Sequence, residues 1–369
     1  MKKILILANS PGGLYRFRKE LIQALIKEGN EVYLSVPYAE ILEPLKKIGA
    51  KVLDIKIDRR GMNALKDSKL LMQYFKLVKK VKPDLIITYT IKPNIYGGLI
   101  SRVMKVPYIV NITGLGTAFQ GNGVLKKVIV FLYKNSLKKV EYVFFENQGN
   151  KQVFTSNNII SEEKTIVVNG AGVNLEEYPF VEYPTDEMIR FLFVGRVMKE
   201  KGIDELLWAA EKIKKEYDNV EFDIVGGLEE DYKEKLEEVW RKNIVNYHGI
   251  QKDVRPFIQD SHCFVLPSYH EGMSNALLEA AAMGRPLITS DIHGCKEAIR
   301  DNGYLIQAKD KNSLYIQMKK FINEEQFSRV EKGINSRELM KEKFDKKVVV
   351  HETIKYIDLV AEGNGKCVK

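Results

Sequence analysis

At 369 residues, with 45% apolar and 29% charged side chains, the chain has an ordinary globular composition and the length of two domains rather than one. Three cysteines (Cys263, Cys295 and Cys367) without CxxC spacing exclude a disulfide framework and a zinc site, which fits a reducing compartment; no apolar run reaches the roughly 20 residues needed to span a bilayer. The net charge of +9 divides into +13 for residues 1–180 and −4 for the remainder, so the two halves present different surfaces, either to different partners or simply to solvent.

The chain starts "MKKILILANSPGG". Two lysines before an apolar stretch imitate a secretory signal, but the stretch is short and runs into a Pro-Gly-Gly loop and a charged helix, so it reads as a first strand. In "NSPGGLYRFR" (9–18) the Gly12-Gly13 pair lets backbone approach a ligand at a helix start, which makes Gly13 a candidate anion contact; a plain tight turn fits equally. Neither GxGxxG nor GxxxxGK[ST] is present, so nicotinamide and P-loop chemistry lack their signatures. Strand-like runs then recur at 31–36, 51–57, 84–90, 107–113, 142–147 and 165–170, separated by helix-period segments such as 14–29 and 68–82. Two lysine-rich segments, 66–82 and 124–139, carry apolar residues on one face; the second follows the glycine-rich stretch 113–123. Either is a sheet-packing helix with a solvated basic side, or a helix that lies on an anionic bilayer through Lys126, Lys127, Lys138 and Lys139. No nucleic-acid module is visible.

The acidic stretch 174–188, with two prolines and weak periodicity, reads as the connection between domains. Beyond it the scheme repeats, with strand-like runs at 190–196, 220–226, 244–249, 263–268, 286–291 and 303–308. Strand–helix alternation means parallel sheets covered on both faces, hence α/β architecture with two doubly wound domains: 1–175, 186–344, and a last helix within 345–369 able to pack on either. Ligands of such sheets bind beyond the carboxyl ends of the strands. At one junction, "FVGRVMKEKG", Arg196 and Lys201 suit a diphosphate, or are solvated loop cations. At another, "YHEGMSNALLEAAAMGRP" (269–286), the N–H groups of Ser274, Asn275 and Ala276 begin a helix and offer a second anion contact. Glu271 precedes that helix and Glu279 lies inside it among Ala and Leu, placed for a ribose; the bland alternatives are a helix-dipole acid and a surface residue. The five histidines (His248, His262, His270, His293 and His351) show no metal-ligand spacing.

Arg196 and Lys201 followed by "SYHEGMSNALLEAAAMGRPLITSDIHGCKEAI" resemble the donor-binding half of family 4 glycosyltransferases with the GT-B fold, Glu271 and Glu279 matching that family's E-x7-E motif. In the first half the likeness rests on the "PGG" loop, "ALIKEGNEVYLSVP" and "TGLGTAF". Within the family the chain is most similar to bacterial transferases that extend undecaprenyl-diphosphate-linked saccharides in capsule, O-antigen or glycoprotein glycan synthesis. The resemblance implies two Rossmann-like domains facing across a cleft, retention of anomeric configuration, a nucleotide-sugar donor (UDP-linked, carrying a hexose or N-acetylhexosamine), no metal or other cofactor, and a lipid-linked saccharide acceptor. It places the chain in the cytoplasm, peripheral on the inner face of the membrane. Arg196 and Lys201 would hold the diphosphate and neutralise the leaving group, with Glu279 on the ribose, Glu271 on the transferred sugar and the base against the loop ending at Ile250. One departure stands out: where many members have a histidine near the sugar, this chain has "TYTIKPN", with Thr90 and Lys92. A UDP-sugar 2-epimerase of the same architecture is the rival enzyme, and a non-catalytic nucleotide-sugar sensor the rival binding protein.

Overall fold

The computed structural model describes residues 1–58, 63–116, 119 and 123–363; Cys367 and most of the glycine-rich stretch 117–122 lie outside the described residues. Contacts divide the chain into two compact units, Met1–Ala171 with Lys347–Lys369, and Gly172–Lys346.

In the first unit β1 (Lys3–Leu7), β2 (Glu31–Val36), β3 (Lys51–Asp54), β4 (Leu85–Tyr89), β5 (Tyr108–Ile112), β6 (Tyr142–Phe145) and β7 (Thr165–Val167) form one sheet in the order β3-β2-β1-β4-β5-β6-β7. Every ladder is parallel. Alternation along β1 feeds two cores. Ile4 and Ile6 pack with Leu21 and Ile22 of the helix Pro11–Lys27 and with Ile354 and Ile357 of the last helix, Lys346–Ala361. Leu5 and Leu7 pack on the other face with Tyr74 and Val78 of the helix Ala64–Val81 and with Ile129 and Tyr133 of the helix Val124–Ser136. Burial on both faces is why these strands read as unbroken β-branched runs.

The second unit repeats the plan with β8 (Ile189–Val194), β9 (Val220–Val225), β10 (Asn246–Tyr247), β11 (Cys263–Leu266), β12 (Leu287–Ser290) and β13 (Gly303–Ile306), in the order β10-β9-β8-β11-β12-β13 and again all parallel. The stretch 174–188 belongs to this unit. Two arginines hold its carbonyls. Arg337 donates to Tyr178 at 2.9 Å and to Ala282 at 2.8 Å, while the fully buried Arg285 donates to Val181 at 3.1 Å and Glu182 at 3.0 Å. Burial pulls the Arg285 guanidinium down to about 10.

The strand order reverses between β1 and β4 in one unit and between β8 and β11 in the other. In doubly wound sheets ligands bind at the carboxyl ends of the strands where the order reverses. Two doubly wound α/β units of this kind constitute the GT-B architecture implied by the sequence resemblance.

Candidate functional site

In the second unit, β8 and β11 release the two loops that carry most of the candidate residues. Arg196 leaves β8 half exposed, its Nη1 3.7 Å from Glu229 Oε1. A short turn, Lys199–Lys201, brings Lys201 back to the sheet edge and ends at Gly202 with φ 72°. A Cβ on Gly202 would stand 2.1 Å from the Pro267 carbonyl oxygen, so glycine is what allows this turn to settle on the exit of β11. That approach places the Lys201 ammonium directly on the Glu271 carboxylate, and Ser268 Oγ donates to the same oxygen, Oε1, at 2.8 Å. Lys201 and Glu271, expected on separate parts of a ligand, are thus partners in this structure.

The helix Asn275–Ala282 follows. Ser274 stands at its N-cap in an extended conformation, yet its side chain makes no capping bond. Its N–H is already taken, donating to the Gly294 carbonyl at 3.0 Å. Ser274 is therefore a correction to the expected set of open donors. Asn275 and Ala276 are the first residues within the helix, where N–H groups precede any i−4 carbonyl. Glu279 is half-buried between Leu278 and Ala280, and the Tyr178 hydroxyl bonds to it, an interaction that, after burial, helps raise the tyrosine pKa. Sequence reasoning missed Tyr178 and Ser268: neither sits in a periodic pattern, and Tyr178 lies in what reads as a connecting stretch. Ile250 is 82% exposed, at the end of a loop where His248 Nε2 lies 2.7 Å from Asp223. His293 pairs with Glu297 at 2.9 Å, and Glu297 also accepts from the Gly294 N–H at 2.7 Å, which makes this histidine part of the loop's own bonding.

In the first unit Gly13 differs from expectation. Its N–H donates to Ser10 Oγ at 3.1 Å, an ordinary N-cap, so this donor is taken by the cap of the helix Pro11–Lys27. Lys92 is turned into the unit, where its ammonium lies 2.9 Å from Asp67 and both side chains are nearly buried; this commits the lysine weighed as a stand-in for the family histidine. Lys126, Lys127, Lys138 and Lys139 lie on or just beyond the helix Val124–Ser136, with Lys127, Lys138 and Lys139 exposed and Lys126 partly so.

The family model for glycosyl transferases group 1 matches residues 189–324, and that for glycosyl transferase 4-like domains matches residues 3–147. The chain is 30% identical to the N,N'-diacetylbacillosaminyl-diphospho-undecaprenol α-1,3-N-acetylgalactosaminyltransferase of Campylobacter jejuni, across 84% of this chain and 86% of that one. It is 28% identical to the UDP-Gal:α-D-GlcNAc-diphosphoundecaprenol α-1,3-galactosyltransferase of Escherichia coli, across 69% of this chain and 70% of that one. The fold superposes with a TM-score of 0.79 on the HepE protein of Anabaena in complex with UDP, at 17% identity, covering 96% of this chain and 99% of the other.

Proposed function

We propose that this chain, which belongs to the group 1 (family 4) glycosyl transferases, moves a hexose or N-acetylhexosamine from a UDP-sugar to a saccharide carried on undecaprenyl diphosphate, with retention of configuration. The observation that carries the reading is its likeness, over more than two thirds of its length, to two enzymes whose names both specify a sugar on diphosphoundecaprenol.

The chemistry breaks the bond between the sugar's anomeric carbon and the UDP phosphate oxygen and joins that carbon to an acceptor hydroxyl oxygen. Negative charge builds on the leaving diphosphate, and fixed cations and N–H groups directed at it lower the barrier. Arg196 can fork to two phosphate oxygens, while Lys201 supplies a point charge once the diphosphate draws it from Glu271. The N–H groups of Asn275 and Ala276 meet the same phosphates at the helix start. Glu279 accepts from the ribose hydroxyls, the base lies against the loop ending at Ile250, and Glu271 accepts from hydroxyls of the transferred sugar. The acceptor hydroxyl proton passes to a phosphate oxygen, so no separate protein base is required. A lipid-linked acceptor also places the work at the cytoplasmic face of the membrane, a surface that suits the basic first unit.

The test offers the purified protein UDP-GalNAc, UDP-GlcNAc, UDP-Gal and UDP-Glc, each with and without undecaprenyl-diphospho-N-acetylhexosamine. UDP release that requires the lipid acceptor, with an α-linked product by NMR, is the expected outcome. A sugar epimerised without acceptor, or no turnover with any pair, refutes it.

A further inference from the structure

Glu271 follows Tyr269 by two residues, and that tyrosine is fixed far more tightly than a loop position requires. Its N–H donates to the Glu200 carbonyl at 2.9 Å, and its hydroxyl reaches both oxygens of Glu205, at 2.8 and 3.0 Å. The Lys309 ammonium lies over its ring, 5.1 Å from the centroid. Glu205 stands in the first turn of the helix Ile203–Lys214, immediately beyond the turn that bears Lys201. The neighbouring Asp204 is engaged elsewhere, with Tyr232 at 3.0 Å and Lys235 at 2.5 Å, so the tyrosine's partner is specifically Glu205.

We propose that the Glu205–Tyr269 pair is a positioning clamp that sets where Glu271 stands relative to Lys201, and so governs how the protein holds the sugar half of its donor without touching the nucleotide. The segment 199–205 and the loop 267–271 meet at four points: Gly202 on Pro267, Glu200 on the Tyr269 N–H, Glu205 on the Tyr269 hydroxyl, and Lys201 on Glu271. The first two are main-chain contacts that a change of side chain at Glu205 or Tyr269 leaves in place. The fourth is the contact that a diphosphate would open. While Lys201 changes partner, the tyrosine hydroxyl and its carboxylate keep the loop tied to the helix that follows Lys201, and Ser268 stays on Glu271 itself. A hydroxyl shared by both oxygens of a charged carboxylate is a charge-assisted bond, about twice as strong as a neutral one.

The inference rests on the reading that Glu271 meets the transferred sugar, and the experiment tests the two separately. Affinities for UDP and for whichever of UDP-GalNAc, UDP-GlcNAc, UDP-Gal and UDP-Glc binds tightest are measured by calorimetry on the full chain. The ratio of the two isolates the sugar's contribution. Tyr269→Phe and Glu205→Ala should each leave UDP affinity within about twofold and lower the ratio about fivefold. The double variant should lower it no further, and Glu205→Gln, which keeps an acceptor oxygen, should retain most of it. Loss of UDP affinity in parallel, or effects that multiply in the double variant, overturns the clamp. So does an unchanged ratio in Tyr269→Phe when Glu271→Gln lowers it. An unchanged ratio in Glu271→Gln as well overturns the sugar reading itself, and the clamp with it.

Discussion

Lys201 and Glu271 neutralise each other in this structure, with Ser268 as a third member. A partly buried pair resists separation, because each charge would otherwise lie desolvated without a partner. A diphosphate supplies Lys201 with a better partner and releases Glu271 toward the sugar, so donor binding and carboxylate release become one event. The consequence runs against simple expectation. Glu271→Ala frees Lys201 and should leave UDP affinity undiminished or raise it a few-fold, while lowering transfer by about 100-fold or more. Glu279→Ala, in contrast, removes the ribose acceptor and should weaken UDP itself by about tenfold, the value of one bond to a charged group. Calorimetry with UDP beside a turnover assay separates the two; if both variants bind UDP equally poorly, the two glutamates do not divide their tasks as argued. Of this arrangement, sequence shows the residue types and their spacing but not their partners. Ser274 meets Gly294, twenty positions on, through a close approach of loops after different strands. Gly13 is the opposite case: Ser10, three residues ahead, is an N-cap residue type at the right spacing, and its hydroxyl takes the Gly13 N–H.

At the scale of elements, the helix Val124–Ser136 has an inner face, Ile129, Tyr133 and Ser136, that is buried in the first unit. Its outer face is unusual for a sheet-packing helix, with Val124 77%, Leu125 50% and Phe131 65% exposed among the lysines. Each large apolar side chain taken into a bilayer interface contributes about 1.5–3 kcal/mol and each nearby lysine about 1 kcal/mol. Phe131→Asp, or the set Lys→Glu at 126, 127, 138 and 139, should therefore abolish sedimentation with phosphatidylglycerol-rich vesicles while leaving the melting temperature nearly unchanged. Equal pelleting of wild type with neutral and anionic vesicles refutes the membrane reading. Elements of this length were readable because burial decides them. Each strand from Lys3–Leu7 to Gly303–Ile306 overlaps a stretch whose β-branched or aromatic run marks it, with Ile189 of β8 one residue ahead of its run. The destination of single side chains was not readable. Lys92 looks like any loop cation beside a strand end, and only the path of the helix Ala64–Val81 brings Asp67 to it.

At the scale of the whole molecule, the chain begins and ends in the same unit. After completing the second sheet it returns as the helix Lys346–Ala361, which buries Ile354, Ile357 and Val360 against the core that contains Ile4 and Ile6. Tyr356 sets its ring edge-on to Tyr142 at 5.3 Å and Phe144 at 5.8 Å, covering β6 of the same sheet. Three buried aliphatic side chains are worth about 5–9 kcal/mol as an upper figure, which is comparable to the entire stability of a typical domain. On that magnitude, residues 1–171 should not fold independently of the residues that lie beyond the second unit. Truncation after Lys346 should accordingly unfold the first unit while the second, whose core holds none of the described residues beyond Lys346, persists. Limited proteolysis followed by mass spectrometry reads this directly: cleavage should spread through residues 1–171 and spare 172–346. Protection of both units in the truncated chain would show that the first sheet and the helix Pro11–Lys27 suffice, and that the returning helix only covers a surface already stable.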